Sequence, residues 1–142
     1  MNLQALTSTV ENNTSLMQYI SESLIDSGFR PNLKGFTYIK EAIHIHHVII
    51  STNKAFRDIY AAIAESYGIS VGSVERAIKS SIESAWNTDK LNKLHNIFAS
   101  ICINKEKPPS NSQFIAVMAE TIRLDFKKNN SSIYNYSFKA IP

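Results

Sequence analysis

A run near the middle of the chain restricts its fold more than any other feature. Residues 60–78 read Tyr-Ala-Ala-Ile-Ala-Glu-Ser-Tyr-Gly-Ile-Ser-Val-Gly-Ser-Val-Glu-Arg-Ala-Ile. Gly68 suits the end of a helix, because glycine adopts a left-handed backbone without a Cβ clash, and the Ser70 hydroxyl can cap the helix that follows. The pattern therefore predicts two helices joined by a three-residue turn. The apolar seam between them is expected at Ile63, Tyr67, Ile69, Val74 and Ala77/Ile78.

Two helices joined in this way are typical of proteins that place the second helix in the major groove of DNA. An ordinary helical hairpin is the alternative. On the second helix, over 71–86, the apolar residues recur at helical spacing and are expected to face the core. The residues around its start and outer face are the predicted DNA contacts, namely Ser70, Gly72, Ser73, Arg76, Lys79 and Ser80.

These contacts have different chemical roles in the prediction. The planar fork of Arg76, one turn into the helix, can donate two hydrogen bonds to guanine O6 and N7. Lys79 and Ser80 suit phosphates or a neighbouring base, and Gly72 lets a phosphate approach the helix N-terminus. The alternative is that Arg76 and Lys79 belong to a solvent-exposed charged face that binds nothing. For Glu75 we favour pairing with Lys79 over a contact to cytosine.

The charge of the chain is unevenly distributed. Residues 1–27 contain three acidic side chains and no basic one. Residues 28–142 contain all 15 basic residues and nine of the 12 acidic ones, a balance of +6. A mildly basic body suits a polyanionic partner, and double-stranded DNA is the partner that we expect.

Cysteine content and hydropathy point to a cytoplasmic protein. Cys102 is the single cysteine, which excludes an internal disulfide and fits a reducing compartment. No apolar run is as long as a membrane span, and the N-terminus lacks a basic segment followed by an apolar one. We therefore expect no membrane partner.

The rest of the chain also has helical patterns, with no convincing strand. The predicted fold is all-α, with about six helices and an extra N-terminal helical segment. The expected parts are an N-terminal helical extension over 1–27, a domain over 28–126 and a flexible tail over 127–142. Further helices are expected over 33–51, 54–67, 89–100 and from Ser110 or Asn111 to about Asp125.

The N-terminal segment has a heptad-like apolar seam. Its members are Leu3, Leu6, Val10, Asn13, Met17, Ile20 and Leu24. Such a seam can pair with a second copy, and a buried Asn13 can fix the register. The alternatives are that it packs onto the chain's own domain, or that residues 12–15 end one helix and cap the next.

Metal binding and catalysis are not favoured. His44, His46 and His47 lie close together, but a zinc site needs a third or fourth ligand, and His95 and Cys102 would have to come near. The sequence has no glycine-rich phosphate loop, no nucleophile flanked by turn residues and no motif of paired carboxylates. We expect no enzyme activity, no cofactor, no metal and no small-molecule substrate.

Three blocks of the chain resemble one known family. Residues 28–43, 73–86 and 107–124 are similar to the DNA-binding effector domain of the master sporulation response regulator of endospore-forming bacteria. The resemblance implies an all-helical domain of about six helices that binds DNA, often as tandem copies on adjacent short boxes.

The chain also departs from that family. The family's recognition helix usually reads Ser-Arg-Val-Glu-Arg-Ala-Ile-Arg-His, and the corresponding run here is residues 72–80. Arg76 is kept, but Ser73 stands in place of the first arginine and Ser80 in place of the histidine. The family also has a receiver domain ahead of the effector domain, and 27 residues are too few for one. We therefore expect a relative without a receiver, which forms a homodimer through residues 1–27.

Two functions follow as hypotheses. The favoured one is a sequence-specific, DNA-binding transcriptional regulator. The alternative is an interaction module that has lost its DNA site and modulates a full-length regulator by pairing with it.

Overall fold

The structure, a computed structural model, describes residues 3–49, 56–88, 93–100 and 107–139, and side chains within 15–49, 58–88, 93–100 and 107–129. Every regular element in these ranges is an α-helix, so the all-α prediction is confirmed. The helices are α1 (Leu3–Asp26), α2 (Lys34–Ile49), α3 (Phe56–Tyr67), α4 (Val71–Thr88), α5 (Lys93–Ile97) and α6 (Asn111–Lys139). None of the described helices is long and apolar enough to span a membrane.

Two helices end three or more residues away from the end expected from the sequence. α6 continues to Lys139, past the expected end near Asp125. No glycine or proline occurs between Asp125 and Lys139, so no residue there breaks the helix. α5 ends at Ile97, before the expected Ser100, and an i to i+3 bond from Ala99 N to Asn96 O (3.4 Å) tightens the chain there. The flexibility expected for 127–142 stays a prediction.

α2 is the central helix of the described fold. It packs against α1, α3, α4 and α6. Its buried residues recur at intervals of three and four, so they form one broad face that these neighbours cover. They are Gly35, Phe36, Tyr38, Ile39, Ala42 and Ile43.

The contact between α2 and α4 depends on Gly35. A Cβ atom at this position would overlap the backbone carbonyl of Ala77 and the hydroxyl oxygen of Ser81. Gly35 is in ordinary helical conformation, so it is needed for space and not for an unusual backbone angle. The missing side chain lets the backbones of the two helices approach closely.

The second half of α1 belongs to the core of this chain. Of the seam residues, Ile20 and Leu24 are buried and Met17 is partly buried against the core, and Leu16 beside it is buried as well. The ring of Tyr19 packs on Phe126 of α6, with 5.5 Å between ring centroids. For this half of the seam, packing onto the chain's own domain is confirmed. The side chains of residues 1–14 lie outside the described residues, so self-pairing there stays a prediction.

A chain of aromatic rings connects the far end of α4 to the rest of the body. Trp86 packs on His95 of α5, with centroids 3.9 Å apart, and edge-on against Phe98. Phe98 stacks on Phe114 of α6 at 5.7 Å, and Phe114 contacts Phe29 at 5.2 Å. Aromatic pairs in such tilted and offset arrangements add stability beyond their buried area. They fix the C-terminal end of α4 against α5 and α6.

We predict opposite responses to alanine at two helical glycines. Gly35→Ala should reduce the free energy of unfolding by about 1–3 kcal/mol, because the backbone of α4 cannot easily move aside. Gly72→Ala is the matched control, since the nearest atom to a new Cβ is the flexible end of Arg76 at 3.1 Å. Alanine is the better helix former, so this variant should be as stable as the parent or more so. Urea denaturation measures both; a Gly35→Ala protein of parental stability would contradict the close approach.

Candidate nucleic-acid interface

The turn between α3 and α4 has the geometry expected from its sequence. Gly68 has φ 64°, in the left-handed region that glycine tolerates. Ile69 N donates to Ala64 O at 3.0 Å and Gly68 N to Glu65 O at 3.3 Å, which satisfies carbonyls at the end of α3. The turn therefore sets the angle at which α4 leaves α3.

The predicted seam between α3 and α4 is largely confirmed. Ile63, Val74 and Ile78 are buried, and Ile69 and Ala77 are partly buried against them. Tyr67 is the exception, because 42% of its surface is exposed. The prediction for this residue was wrong.

Tyr67 instead connects the end of α3 to α2. Its hydroxyl donates to a carboxylate oxygen of Glu41 at 2.7 Å, and its ring meets Tyr38 edge-on with centroids 5.1 Å apart. The hydrogen bond to Glu41, together with burial and the charge of Glu41, raises the pKa of Tyr67 to about 12. Helical periodicity within α3 could not reveal this partner, which is 26 residues away in the sequence.

The start of α4 is held by a serine cap. Ser73 N donates to the hydroxyl oxygen of Ser70 at 3.1 Å, and Val74 N donates to Ser70 O at 3.2 Å. This is the arrangement by which a serine satisfies otherwise unpaired N–H groups at a helix N-terminus. The two serine hydroxyls also lie 2.9 Å apart. The predicted capping role of Ser70 is confirmed.

The structure brings the predicted contact residues together on the start and outer side of α4. Ser70, Arg76, Lys79 and Ser80 are exposed, and Gly72 and Ser73 are half-buried. The ion pair found among the described side chains joins Glu120 and Arg123 on α6, at 2.6 Å. Neither Arg76 nor Lys79 therefore has an acidic partner within that part of the chain, so the predicted pairing of Glu75 with Lys79 was wrong.

Lys79 differs from the other predicted contacts because it lines a groove beside α4. The groove encloses about 540 Å³, with Lys79, Glu75 and Glu83 on one side. The segment 107–112 forms the other side, and Asn111 Nδ2 donates to Glu75 O at 2.9 Å. The sequence predicts a helix start near Asn111, but it does not indicate that this helix start lies against α4. Asn111 and its partner Glu75 are 36 residues apart, which is beyond the reach of local pattern.

Tyr60 of α3 also lines this groove. The side chain is buried, and its hydroxyl has no hydrogen-bond partner among the described residues. Burial raises the pKa of Tyr60, and the negative charge of Glu75 raises it further. The nearby Ser112 side chain lowers the pKa and so partly offsets these effects. Ser112 is close enough to affect the pKa but outside hydrogen-bonding geometry.

The histidines are built into the body of the fold. His95 is buried, with Nε2 2.8 Å from Trp86 O. Burial lowers the pKa of both His44 and His46. The charge of His47 lowers the pKa of His44 further, whereas the charge of Glu120 raises the pKa of His46 and partly offsets its burial. No group of three or more potential metal ligands occurs among the described residues. Cys102 lies outside them.

These features define an all-helical domain that exposes the N-terminal turn of one helix, with a basic side chain there. The family model described as sporulation initiation factor Spo0A C terminal matches residues 20–122. The chain belongs to this family. Its members are DNA-binding regulatory domains and not a known class of enzyme. The match begins inside α1 and ends inside α6, so it includes α2, the α3–α4 pair and α5.

Tyr67→Phe should reduce the free energy of unfolding by about 0.5–1.5 kcal/mol at pH 7, because one hydrogen bond is lost. The pKa of Tyr67 is raised, so its contribution is complete below pH 10 and is lost as the pH rises toward 12. Urea denaturation at pH 7 and at pH 11.5 should therefore show a smaller difference between parent and variant at the higher pH.

Glu41→Gln is the control, because it keeps an acceptor but removes the charge. In this variant the pKa of Tyr67 should fall toward the ordinary tyrosine value, measured by ultraviolet absorbance. An equal difference between parent and Tyr67→Phe at both pH values would show that the bond to Glu41 does not raise the pKa of Tyr67.

Proposed function

We propose that the protein is a sequence-specific transcriptional regulator in which α3 and α4 act as a helix-turn-helix and α4 enters the major groove of DNA. The observation that carries the proposal is the exposed start of α4. There Arg76 has no acidic partner among the described side chains, and its guanidinium keeps donors for a ligand. Membership of a DNA-binding family supports the same conclusion.

The arrangement of α4 suggests a division of roles. Arg76 lies one turn from the N-terminus, which is where recognition helices of this type contact base edges. Its planar guanidinium can donate two hydrogen bonds to O6 and N7 of a guanine. Ser80 follows one turn later and is exposed, so it can contact a neighbouring base or a phosphate.

The groove beside α4 suits a role in contacting the DNA backbone. A helix in the major groove, which is about 12 Å wide, has phosphates on both sides. Lys79 and Lys107 both line the groove next to α4. We infer that Lys79 contacts a phosphate and not a base, with Lys107 close to the same strand.

A protein-interaction module is the second candidate function. Glu75 and Glu83 line the same groove, so this side of α4 has no excess of positive charge. A mixed surface of this kind suits a protein partner better than a polyanion. In this alternative the domain pairs with a full-length regulator and does not bind DNA on its own.

A titration against duplex DNA at several salt concentrations separates the two functions. A regulator should prefer one sequence from a random duplex library and should bind less tightly as salt rises. Arg76→Ala should remove about 1–3 kcal/mol of preference at one base pair. Lys79→Ala should weaken all duplexes alike and reduce the salt slope by about one. Absence of any duplex binding at low salt would exclude the regulator and favour the interaction module.

We also propose a homodimer formed through the N-terminal half of α1, within residues 1–27, because Ile20 and Leu24 of the seam are already buried in the chain's own core. Val10 lies on the apolar seam of α1, and Ser8 lies on the opposite side of the same helix by helical spacing. Val10→Asp should convert the dimer to a monomer, because a charge in a coiled-coil seam is costly. Ser8→Asp should leave it dimeric. Light scattering measures the mass, and a monomeric parent protein would rule out this dimer.

A further inference from the structure

A short chain of hydrogen bonds holds the Arg76 side chain against the start of its own helix. Arg76 Nη2 donates to the hydroxyl oxygen of Ser73 at 3.3 Å. The Ser73 hydroxyl lies 2.9 Å from that of Ser70, which already accepts from Ser73 N. A single direction of donation fits all three contacts, from Arg76 to Ser73 and from Ser73 to Ser70.

Gly72 provides the space in which the guanidinium lies. A Cβ atom on this residue would be 3.1 Å from Arg76 Nη1 and 3.8 Å from Cζ. Contacts of 3.0–3.4 Å are tighter than most Cβ atoms make, so the arginine would have to move. The guanidinium therefore rests along the first turn of α4, directly over the glycine.

Most of the hydrogen-bonding capacity of Arg76 is unused among the described residues. A guanidinium has five N–H donors, and the contact with Ser73 engages one of them. Arg76 is exposed and forms no ion pair among the described side chains. The group is thus oriented by the protein while its remaining donors can reach a ligand.

We infer that Ser73 and Gly72 are positioning residues that determine the sequence preference of the site through Arg76, and do not themselves read DNA. The inference rests on the proposed DNA-binding function and assigns these two residues a role different from direct contact. Ser73 fixes the direction of the guanidinium, and Gly72 leaves the space beside it.

The physical advantage is a smaller loss of side-chain freedom on binding. A long side chain that becomes ordered only in the complex reduces affinity by about twofold to tenfold. An arginine that is already oriented avoids much of this loss. The higher affinity applies only to a duplex that presents a base edge where the oriented Arg76 guanidinium can reach it. Orientation of Arg76 therefore appears as a preference for one DNA sequence.

A double-mutant cycle in the full chain tests the role of Ser73. Ser73→Ala should reduce the preference for the selected duplex over a scrambled one by about twofold to tenfold. In an Arg76→Ala background the same change should have no further effect, because Ser73 acts through the arginine. If Ser73→Ala weakens binding equally in both backgrounds, Ser73 contacts DNA directly and the inference is wrong.

Three further variants separate positioning from loss of structure. Ser73→Thr retains the hydroxyl and should keep the parental preference. Gly72→Ala should lose preference without losing stability, as measured by urea denaturation. Ser66→Ala is the control for loss of an exposed hydroxyl, since the Ser66 hydroxyl donates to Ala62 O of its own helix α3 and lies outside α4. Full preference in Gly72→Ala would show that the space over this residue is not used.

A measurement without DNA distinguishes failure of this inference from failure of the proposed function. Nuclear magnetic resonance of ¹⁵N-labelled protein reports the motion of the Arg76 side chain in the free state. Parent and Ser73→Thr should show a restricted guanidinium, and Ser73→Ala a mobile one. Equal mobility in parent and Ser73→Ala overturns the positioning role, whether or not DNA binds. If the Arg76 guanidinium is restricted but the protein binds no duplex, the proposed function is wrong. In that case Ser73 orients Arg76 but has no effect on sequence preference.

Discussion

The close approach of α2 and α4 at Gly35 is the constraint on which the rest of the structure depends. α2 contacts α1, α3 and α6 as well, so each of these helices is placed relative to α4 through it. Any side chain at this crossing would push α4 away from α2 and so disturb its contacts with α3 and α6. The exposed start of α4 is therefore oriented by a backbone contact about two turns away, near Ala77 and Ser81.

Local pattern in the sequence predicted the helices, the turn at Gly68, the cap at Ser70 and most of the seam, because these depend on neighbours within a few residues. It could not predict which side chains meet across the fold. Tyr67 looked like a seam residue because its spacing fits, but its partners Tyr38 and Glu41 are on another helix. The groove beside α4 was missed for the same reason. α6 ran further than expected because weak helix formers do not end a helix in the way that proline or glycine does.

Ser73 illustrates how a structure changes the interpretation of a substitution. In comparison with the family that the chain resembles, this residue stands where an arginine is usual, and the sequence alone suggests a lost contact. In the structure its hydroxyl accepts a hydrogen bond from the remaining arginine. The number of basic side chains on α4 is smaller than is usual in the family, but the arginine that remains near its start has a hydrogen-bond partner in Ser73. Charge and orientation are separate properties of such a surface, and only the first can be read from composition.

The position of Trp86 gives this protein a natural optical reporter. It is the single tryptophan of the chain, and it is buried in the aromatic cluster where α4 meets α5 and α6. The first turn of α4 is about 20 Å away along the helix, since each residue advances the axis by 1.5 Å. Tryptophan emission therefore reports the packing of the interior at one end of α4, away from the exposed start of the helix.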